Sequence, residues 1–272
     1  MRLLVKIGGA QLEQAGPRER LCKAVAKARA AGHEIVVVHG GGNQIRELGK
    51  ALGIEDRYHE GLRITDAKTA EVVMMVLGGQ VNRRLVASLA RAGVRGVGIS
   101  GADGGTFTAK RLVRPGVDLG FVGAIDRVDP TLVDTLLGRG MTPVIATVAP
   151  AADAEEGEPF YNLNADHAAG PLCRALRCDA ILFLTDVPGV LDAEKRRLAA
   201  LTPADCDRLI ADGVAKGGMI PKLEAALLAL RDNPGALVKI APADGDDAVL
   251  AGLDGTIGTR FCNDAAQEHS HG

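Results

Sequence analysis

The sequence predicts an α/β fold, with an open, mainly parallel central sheet and helices on both of its faces. Three observations lead there. Short β-branched runs alternate with longer helical patterns along nearly the whole chain. Two of these runs, residues 35–38 and 180–184, are continuously apolar, as expected of parallel strands buried on both faces. Glycine, 35 of 272 residues, is roughly twice its usual share of about 7%, and it gathers just after the strands.

Residues 3–7 read as the first strand. Gly16-Pro17 opens a helix with Pro at its first position, Leu21, Val25 and Ala28 on one face and Gly32 closing it. Strand 35–38 and helix 44–52 follow. Thr65 or Asp66 caps a long helix carrying Val72, Val73, Val76, Val81, Leu85 and Leu89, and residues 94–99 form a strand. Residues 106–110 and 121–125 read as a hairpin pair around Arg114-Pro115-Gly116. Asp129-Pro130 starts a helix that Gly140 ends, residues 143–148 form a strand, and 151–158 a polar loop. Asn164 caps a helix running to Arg177, in which Pro171 should remove a hydrogen bond and produce a kink. Beyond strand 180–184, Thr202-Pro203-Ala204-Asp205 has the form of a capping box. A helix over 221–230 and strands over 236–240 and 257–261 complete the pattern, and a frayed polar tail begins at Cys262.

Composition removes several function classes. The net charge of −2 gives no basic excess for nucleic acid or an acidic membrane. Two tyrosines, five phenylalanines and no tryptophan leave few rings on which bases could stack. The most apolar long stretch, 141–152, is interrupted by Pro143 and Pro150, and the N-terminal run is too short for a signal peptide. Five cysteines without a C-x-x-C pair read as buried hydrophobes of a reducing, cytoplasmic compartment.

Open parallel sheets bind ligands at the carboxyl ends of their strands, so the residues there carry the chemistry. Gly40-Gly41-Gly42, between a strand and a helix, lets backbone N–H groups approach an anion. The alternative is a tight turn. Neither a Walker motif nor a G-x-G-x-x-G fingerprint is present. Lys6 sits mid-strand, before Gly8-Gly9, and must reach a strand end or a ligand unless the strand is an edge. Lys222 follows Gly217-Gly218-Met219-Ile220-Pro221 at a helix start, where an ammonium is disfavoured unless an anion binds. A solvated loop lysine is the alternative. Asn162-Leu163-Asn164-Ala165-Asp166 gathers two amides and a carboxylate, and Asp166 facing Lys6 and Lys222 would hold both ammonium groups. Arg63 could fork onto a carboxylate or lie at the surface. His39 reads as packing beside the glycine loop, and His269 and His271 as part of a mobile tail.

These motifs, in this order, resemble the amino acid kinase family from Lys6 to about Gly258. Three further segments join the match: Gly61-Leu62-Arg63-Ile64-Thr65-Asp66, Val117-Asp118-Leu119-Gly120-Phe121-Val122-Gly123 and Leu184-Thr185-Asp186-Val187-Pro188-Gly189. The resemblance implies two lobes on one continuous sheet, an αβα sandwich: residues 1–177 for the acetylated amino acid and dimerisation, and 178–272 for ATP. It implies transfer of the ATP γ-phosphoryl to the γ-carboxylate of N-acetyl-L-glutamate, a step of arginine biosynthesis. By the same carry-over, Lys6 and Lys222 stabilise the transferring group and Asp166 positions them. Gly8, Gly9, Gly41 and Gly42 hold phosphates through their backbone, and Arg63 and Asn162 grip the substrate. Thr185, Asp186, Gly189, Gly218 and Met219 line the nucleotide side. Mg2+ rides on the phosphates with few or no protein ligands.

Arginine-inhibited members carry an extra N-terminal helix that builds a hexameric ring. A chain beginning at its first strand suggests a homodimer outside that route of inhibition, without room for a fused acetyltransferase domain. A nitrogen-signalling partner remains compatible with the sequence. Two rival readings are a sibling kinase acting on carrier-bound aminoadipate or glutamate, and a nucleotide-binding sensor without catalysis. The first tends to carry a Gly-Asp variant in place of Asn164-Ala165-Asp166 and a basic patch for an acidic carrier protein, and this sequence fits the free-amino-acid enzyme better. The second need not keep Lys6, Asp166 and Lys222 together.

Overall fold

The computed structural model describes residues 1–263, so His269 and His271 lie outside the described residues. The first half runs β1 (Arg2–Ile7), α1 (Ala15–Ala30), β2 (Glu34–His39), α2 (Gly42–Ala51), β3 (Tyr58–His59), β4 (Leu62–Arg63), α3 (Ala67–Met74), a π-helical stretch Met75–Val81, α4 (Asn82–Arg91), β5 (Gly96–Ile99), β6 (Phe107–Arg111), β7 (Val122–Val128), α5 (Thr131–Gly138), β8 (Thr142–Ala146), β9 (Val148–Ala149), β10 (Tyr161–Leu163) and α6 (Ala165–Leu176). The second continues with β11 (Ala180–Thr185), β12 (Ala200–Leu201), α7 (Pro203–Ala211), α8 (Met219–Asp232), β13 (Leu237–Pro242), α9 (Ala248–Leu253) and β14 (Thr259–Phe261).

Eight strands form the central sheet, in the order β12-β14-β13-β11-β1-β2-β8-β5. All neighbours are parallel except the β13–β14 pair. β1 is therefore central, joined to the first half through β2 and to the second through β11. Its side chains alternate between faces. Leu4 joins a core under α5, α6 and α8, and Leu3 and Val5 join one under α1, α3 and α4. Strands buried this way on both sides account for the continuous apolar runs. Among the described residues no helix is long and apolar enough to cross a membrane.

A second, four-stranded sheet, β6-β7-β10-β9, stands apart from the first. The predicted hairpin is its β6–β7 pair, antiparallel as expected. The strand expected over 143–148 is divided. Residues up to Ala146 stay in the central sheet, and Val148 crosses to pair with Asn162 of the second. This crossing brings β10 and Asn162 beside the ends of β1 and β2.

Several boundaries differ from the sequence reading. α1 starts at Ala15 and α8 at Met219, so Pro17 and Pro221 are third rather than first helical residues. Both still lie in the first turn, where a missing N–H removes no intrahelical bond. Asp66, not Thr65, caps α3, accepting from the Thr69 N–H at 2.8 Å. Thr65 instead donates to the Arg63 carbonyl at 2.7 Å. The long helix is continuous but widens into the π stretch between α3 and α4. α6 runs unbroken through Pro171. The capping box at Thr202 and Asp205 forms as predicted, and the five cysteines are buried.

Candidate active site

A cleft of about 260 Å³ opens over the carboxyl ends of β1 and β2. It is lined by Lys6, Gly8, Gly9, Gly41, Gly42, Arg63, Asn162, Asp166 and Lys222, all predicted from the sequence, together with Tyr58 and Thr147, which were not.

Lys6 reaches it because β1 is the middle of the sheet and not an edge. Its side chain is 4% exposed and forms a 2.5 Å ion pair with Asp166 Oδ1. Lys6 shares the parity of Leu4, so it points to the face covered by α6, whose first turn presents Asp166. Asn164 builds that turn, its Oδ1 accepting from the N–H groups of Asp166 and His167. Burial and the nearby Lys222 charge lower the Lys6 pKa against the pull of Asp166. Burial pushes the Asp166 carboxyl up, yet Lys6 and Lys222 outweigh it and hold it below the usual range.

Lys222 comes from the first turn of α8. α8 lies close against α6 through small residues. A methyl on Gly170 would sit 3.2 Å from Ala229 Cα, and Asn233 Nδ2 donates to the carbonyls of both Gly170 and Ala229. That packing carries Lys222 to the Lys6–Asp166 pair. Lys222 acts on the pair through its charge, and two ammonium groups against one carboxylate leave net positive charge in the cleft.

The glycine loops face each other. A methyl on Gly9 would lie 2.9 Å from Gly41 Cα and 3.1 Å from the Gly41 and Gly42 nitrogens. A methyl on Gly41 would lie 2.7 Å from Leu77 in the π stretch. At Gly9 the neighbours are backbone atoms, so close approach requires glycine, whereas at Gly41 the near atoms are side-chain tips; both residues border the cleft.

Arg63 is buried, which removes the surface reading. Its guanidinium pairs with Asp56, donates to the Gly42 carbonyl at 2.8 Å and to the Tyr58 hydroxyl at 2.5 Å, and lies over the Tyr58 ring. Burial, with the Arg46 charge, pushes its pKa down to about 10. Asn162 Nδ2 donates to the Thr65 hydroxyl at 3.2 Å. Asp56 and Tyr58 escaped the sequence reading because they sit in and beside a hairpin of two-residue strands that has no periodicity.

The five residues expected on the nucleotide side do not line this cleft. Thr185 ends β11 next to the Gly8 loop, and its hydroxyl donates to the exposed Asp186 at 2.9 Å. Gly189 has φ +142°, and a methyl there would meet Thr259 Oγ1 at 2.7 Å. Gly218 is exposed at the start of α8, and Met219 packs partly against the core.

A parallel sheet with glycine loops and two lysines at its carboxyl edge defines a phosphoryl-transfer architecture. The model of the amino acid kinase family matches residues 1–239, and the chain belongs to that family. Among its relatives, the acetylglutamate kinase of Novosphingobium aromaticivorans is 46% identical over 84% of this chain and 78% of its own length. That of Solibacter usitatus is 43% identical over 96% of this chain and 99% of its own. A protein of Streptococcus mutans, smu.665, superposes with a TM-score of 0.81 at 25% identity, covering 97% and 99% of the two chains. The carbamate kinase of Giardia lamblia bound to AMP-PNP shares the fold, with a TM-score of 0.69 at 16% identity, over 97% of this chain and 98% of its own.

Proposed function

We propose that this chain phosphorylates the γ-carboxylate of N-acetyl-L-glutamate with ATP, giving N-acetyl-L-glutamyl 5-phosphate for arginine biosynthesis. The buried Lys6–Asp166 ion pair, with Lys222 and the glycine loops around it, is the observation that carries this reading. The named relatives support the choice of acceptor.

A carboxylate is already a nucleophile at neutral pH, so the site needs no general base. One γ-carboxylate oxygen attacks the γ-phosphorus, the bond to the β–γ bridging oxygen breaks, and ADP leaves. The obstacle is repulsion between the acceptor and the triphosphate. Lys6 and Lys222 offset it and stabilise the charge spread over the transferring group, as N–H groups of the Gly8-Gly9 and Gly41-Gly42 loops also do. Asp166 keeps the two ammonium groups from separating. Arg63 and Asn162 orient the acceptor, and Thr185, Asp186, Gly189, Gly218 and Met219 bound the nucleotide side. In this reading residues 1–177 are the acceptor lobe and 178–272 the nucleotide lobe.

Asp166 is the one carboxylate among the described residues lining the cleft, and it is committed to Lys6. The donor set therefore fits Mg2+ carried by the phosphates rather than by a protein cage. Bound there, it supplies further neutralisation of phosphate charge. The same reading places the enzyme in the cytoplasm as a homodimer.

Coupled ADP release, with N-acetyl-L-glutamate, glutamate, aspartate and a carrier-bound glutamate as acceptors, tests the assignment. Turnover is expected with N-acetyl-L-glutamate. Its absence would sink the reading, and turnover with the carrier-bound acceptor alone would transfer the chain to the sibling activity.

A further inference from the structure

Beneath the glycine loop runs a buried polar chain that the reaction above does not use. β2 alternates its side chains between faces. Ile35 and Val37 enter the core under α3 and α4, and His39 shares their parity, so its ring lies on the face opposite Lys6. The ring is completely buried. Nδ1 lies 3.1 Å from the Gly40 carbonyl oxygen. Nε2 lies 3.0 Å from Asn82 Nδ2, which also donates to the Val144 carbonyl at 2.9 Å.

These contacts admit one proton arrangement. Carbonyls only accept, so Nδ1 carries the hydrogen and the Asn82 amide presents its NH2 to Val144. Nε2 is then an acceptor, matched to the second Asn82 N–H. Burial, opposed by the Gly40 hydrogen bond and aided by the Arg83 charge, pushes the His39 pKa down to about 4. Room for the Asn82 carboxamide comes from Gly98 of β5, where a methyl would collide with Asn82 Oδ1.

The consequence lies one peptide further on. A trans peptide is planar, and its C=O and N–H point in opposite directions. Drawing the Gly40 carbonyl down onto His39 turns the Gly41 N–H the other way, toward the cleft that Gly41 lines. Among the described residues that N–H meets no backbone acceptor. Leu77 of the π stretch supports the loop from below, and Asn82 opens α4 directly after that stretch.

We propose that His39 and Asn82 are positioning residues that aim the Gly41 N–H at the transferring phosphoryl group. The inference rests on the phosphoryl-transfer reading of the cleft and deepens it. His39→Asn keeps a donor at the Nδ1 position and loses the link to Asn82. His39→Gln keeps an amide at the Nε2 position and frees the Gly40 carbonyl.

The test measures kcat, both KM values and melting temperature of the full-length protein with ATP and N-acetyl-L-glutamate. His39→Gln should lower kcat on the order of 10²-fold, the effect of a small misplacement at a reacting centre, with the KM for ATP little changed. His39→Asn should stay within about tenfold of wild type, since it gives up a single neutral hydrogen bond. A role in packing alone predicts the reverse order, because Gln fills the ring's volume better than Asn. Gly98→Ala, which displaces Asn82 without touching His39 or the cleft, should also lower kcat at unchanged KM for ATP. Nitrogen-15 spectra of histidine-labelled wild-type protein should show His39 neutral with its proton on Nδ1 at pH 7, whether or not the variants fold. Equal rates for the Asn and Gln variants, losses that follow melting temperature, or an Nε2–H tautomer would overturn the proposal. Absence of turnover in the wild type would instead overturn the reading beneath it.

Discussion

Around the ends of β1, β2 and β10 the site side chains are buried or half-buried and hold one another across the fold, whereas at the end of β11 and the start of α8 Asp186 and Gly218 lie open to solvent. On the proposed acceptor side Lys6 is paired with Asp166, Arg63 with Asp56, Asn162 with Thr65 and His39 with Asn82. On the proposed nucleotide side Asp186 and Gly218 are exposed, and a methyl on Gly218 would meet no atom within 4 Å. Under the proposed assignment, the contrast matches the chemistry of the two ligands. A small acceptor offers few contacts, so the protein must fix its own groups beforehand. A nucleotide brings a large aromatic base and a chain of charges, and can order the groups around it on binding.

The sharpest way to break this comparison is to remove a cation shared by both sides. Lys222→Ala should lower kcat on the order of 10²–10³, by analogy with loss of one oxyanion donor. Lys6→Ala should do the same at saturating concentrations of both substrates. Asp166→Ala leaves the Lys6 ammonium buried without its partner, and denaturant unfolding should show a loss of about 3 kcal/mol, at the low end for a broken buried pair because Asp166 is partly exposed. Wild-type kcat in Lys222→Ala would mean that the cleft is not where phosphoryl transfer occurs.

Acid should injure the rigid side first. His39 is held neutral, with its pKa lowered from 6.5 to about 4. A group depressed on folding contributes its full stability above the unfolded pKa and loses it as pH falls through the folded one. Between pH 6.5 and 4 the native state should therefore give up as much as about 3 kcal/mol on this account. Urea unfolding at pH 7 and pH 4.5 should show a smaller acid loss in His39→Asn than in wild type. Equal losses in the two proteins would show that the imidazole is not the acid-sensitive group.

Arg63→Lys sharpens the acceptor side alone. A lysine cannot reproduce the fork that reaches Asp56, Gly42 and Tyr58 together. The KM for N-acetyl-L-glutamate should rise on the order of 10-fold, for one or two charged hydrogen bonds lost, while the KM for ATP stays put. A parallel rise in both values would erase the distinction between the two sides.

How much of this was legible depended on whether the signal was local. A lysine in an apolar strand must find a partner, so Lys6 declared itself, and glycines following a strand declared the loops. Asn164 and Asp166 stood out because a cap and a first-turn carboxylate follow from the helix that they open. The partners of Arg63 did not, since ion pairs between Asp56 and a neighbouring hairpin strand leave no period to read. Nor did the π stretch at Met75–Val81, whose apolar spacing continues the helical pattern on either side. Asn82 carries no local signal within the helical pattern around it. Only the pairing of β5 with β8 and of β8 with β2, which is long-range, places it beneath His39.

The smallest expected effect is the most direct measure of the contrast between the sides, and it compares one glycine from each. Gly9→Ala puts a methyl against backbone atoms of Gly41 and Gly42, which cannot yield as a flexible side chain would. Gly218→Ala puts the same methyl into open space, at a φ of −67° that any residue adopts. If the nucleotide side orders around its ligand, the Gly218 variant should keep kcat and raise the KM for ATP less than about threefold, in line with the roughly 0.5 kcal/mol of a tolerated surface change. The Gly9 variant should lose most of its activity at any ATP concentration. Should Gly218→Ala prove as damaging as Gly9→Ala, with its melting temperature unchanged, the start of α8 is as tightly fitted to the phosphates as the acceptor loops are to one another, and the two sides differ only while the nucleotide is away.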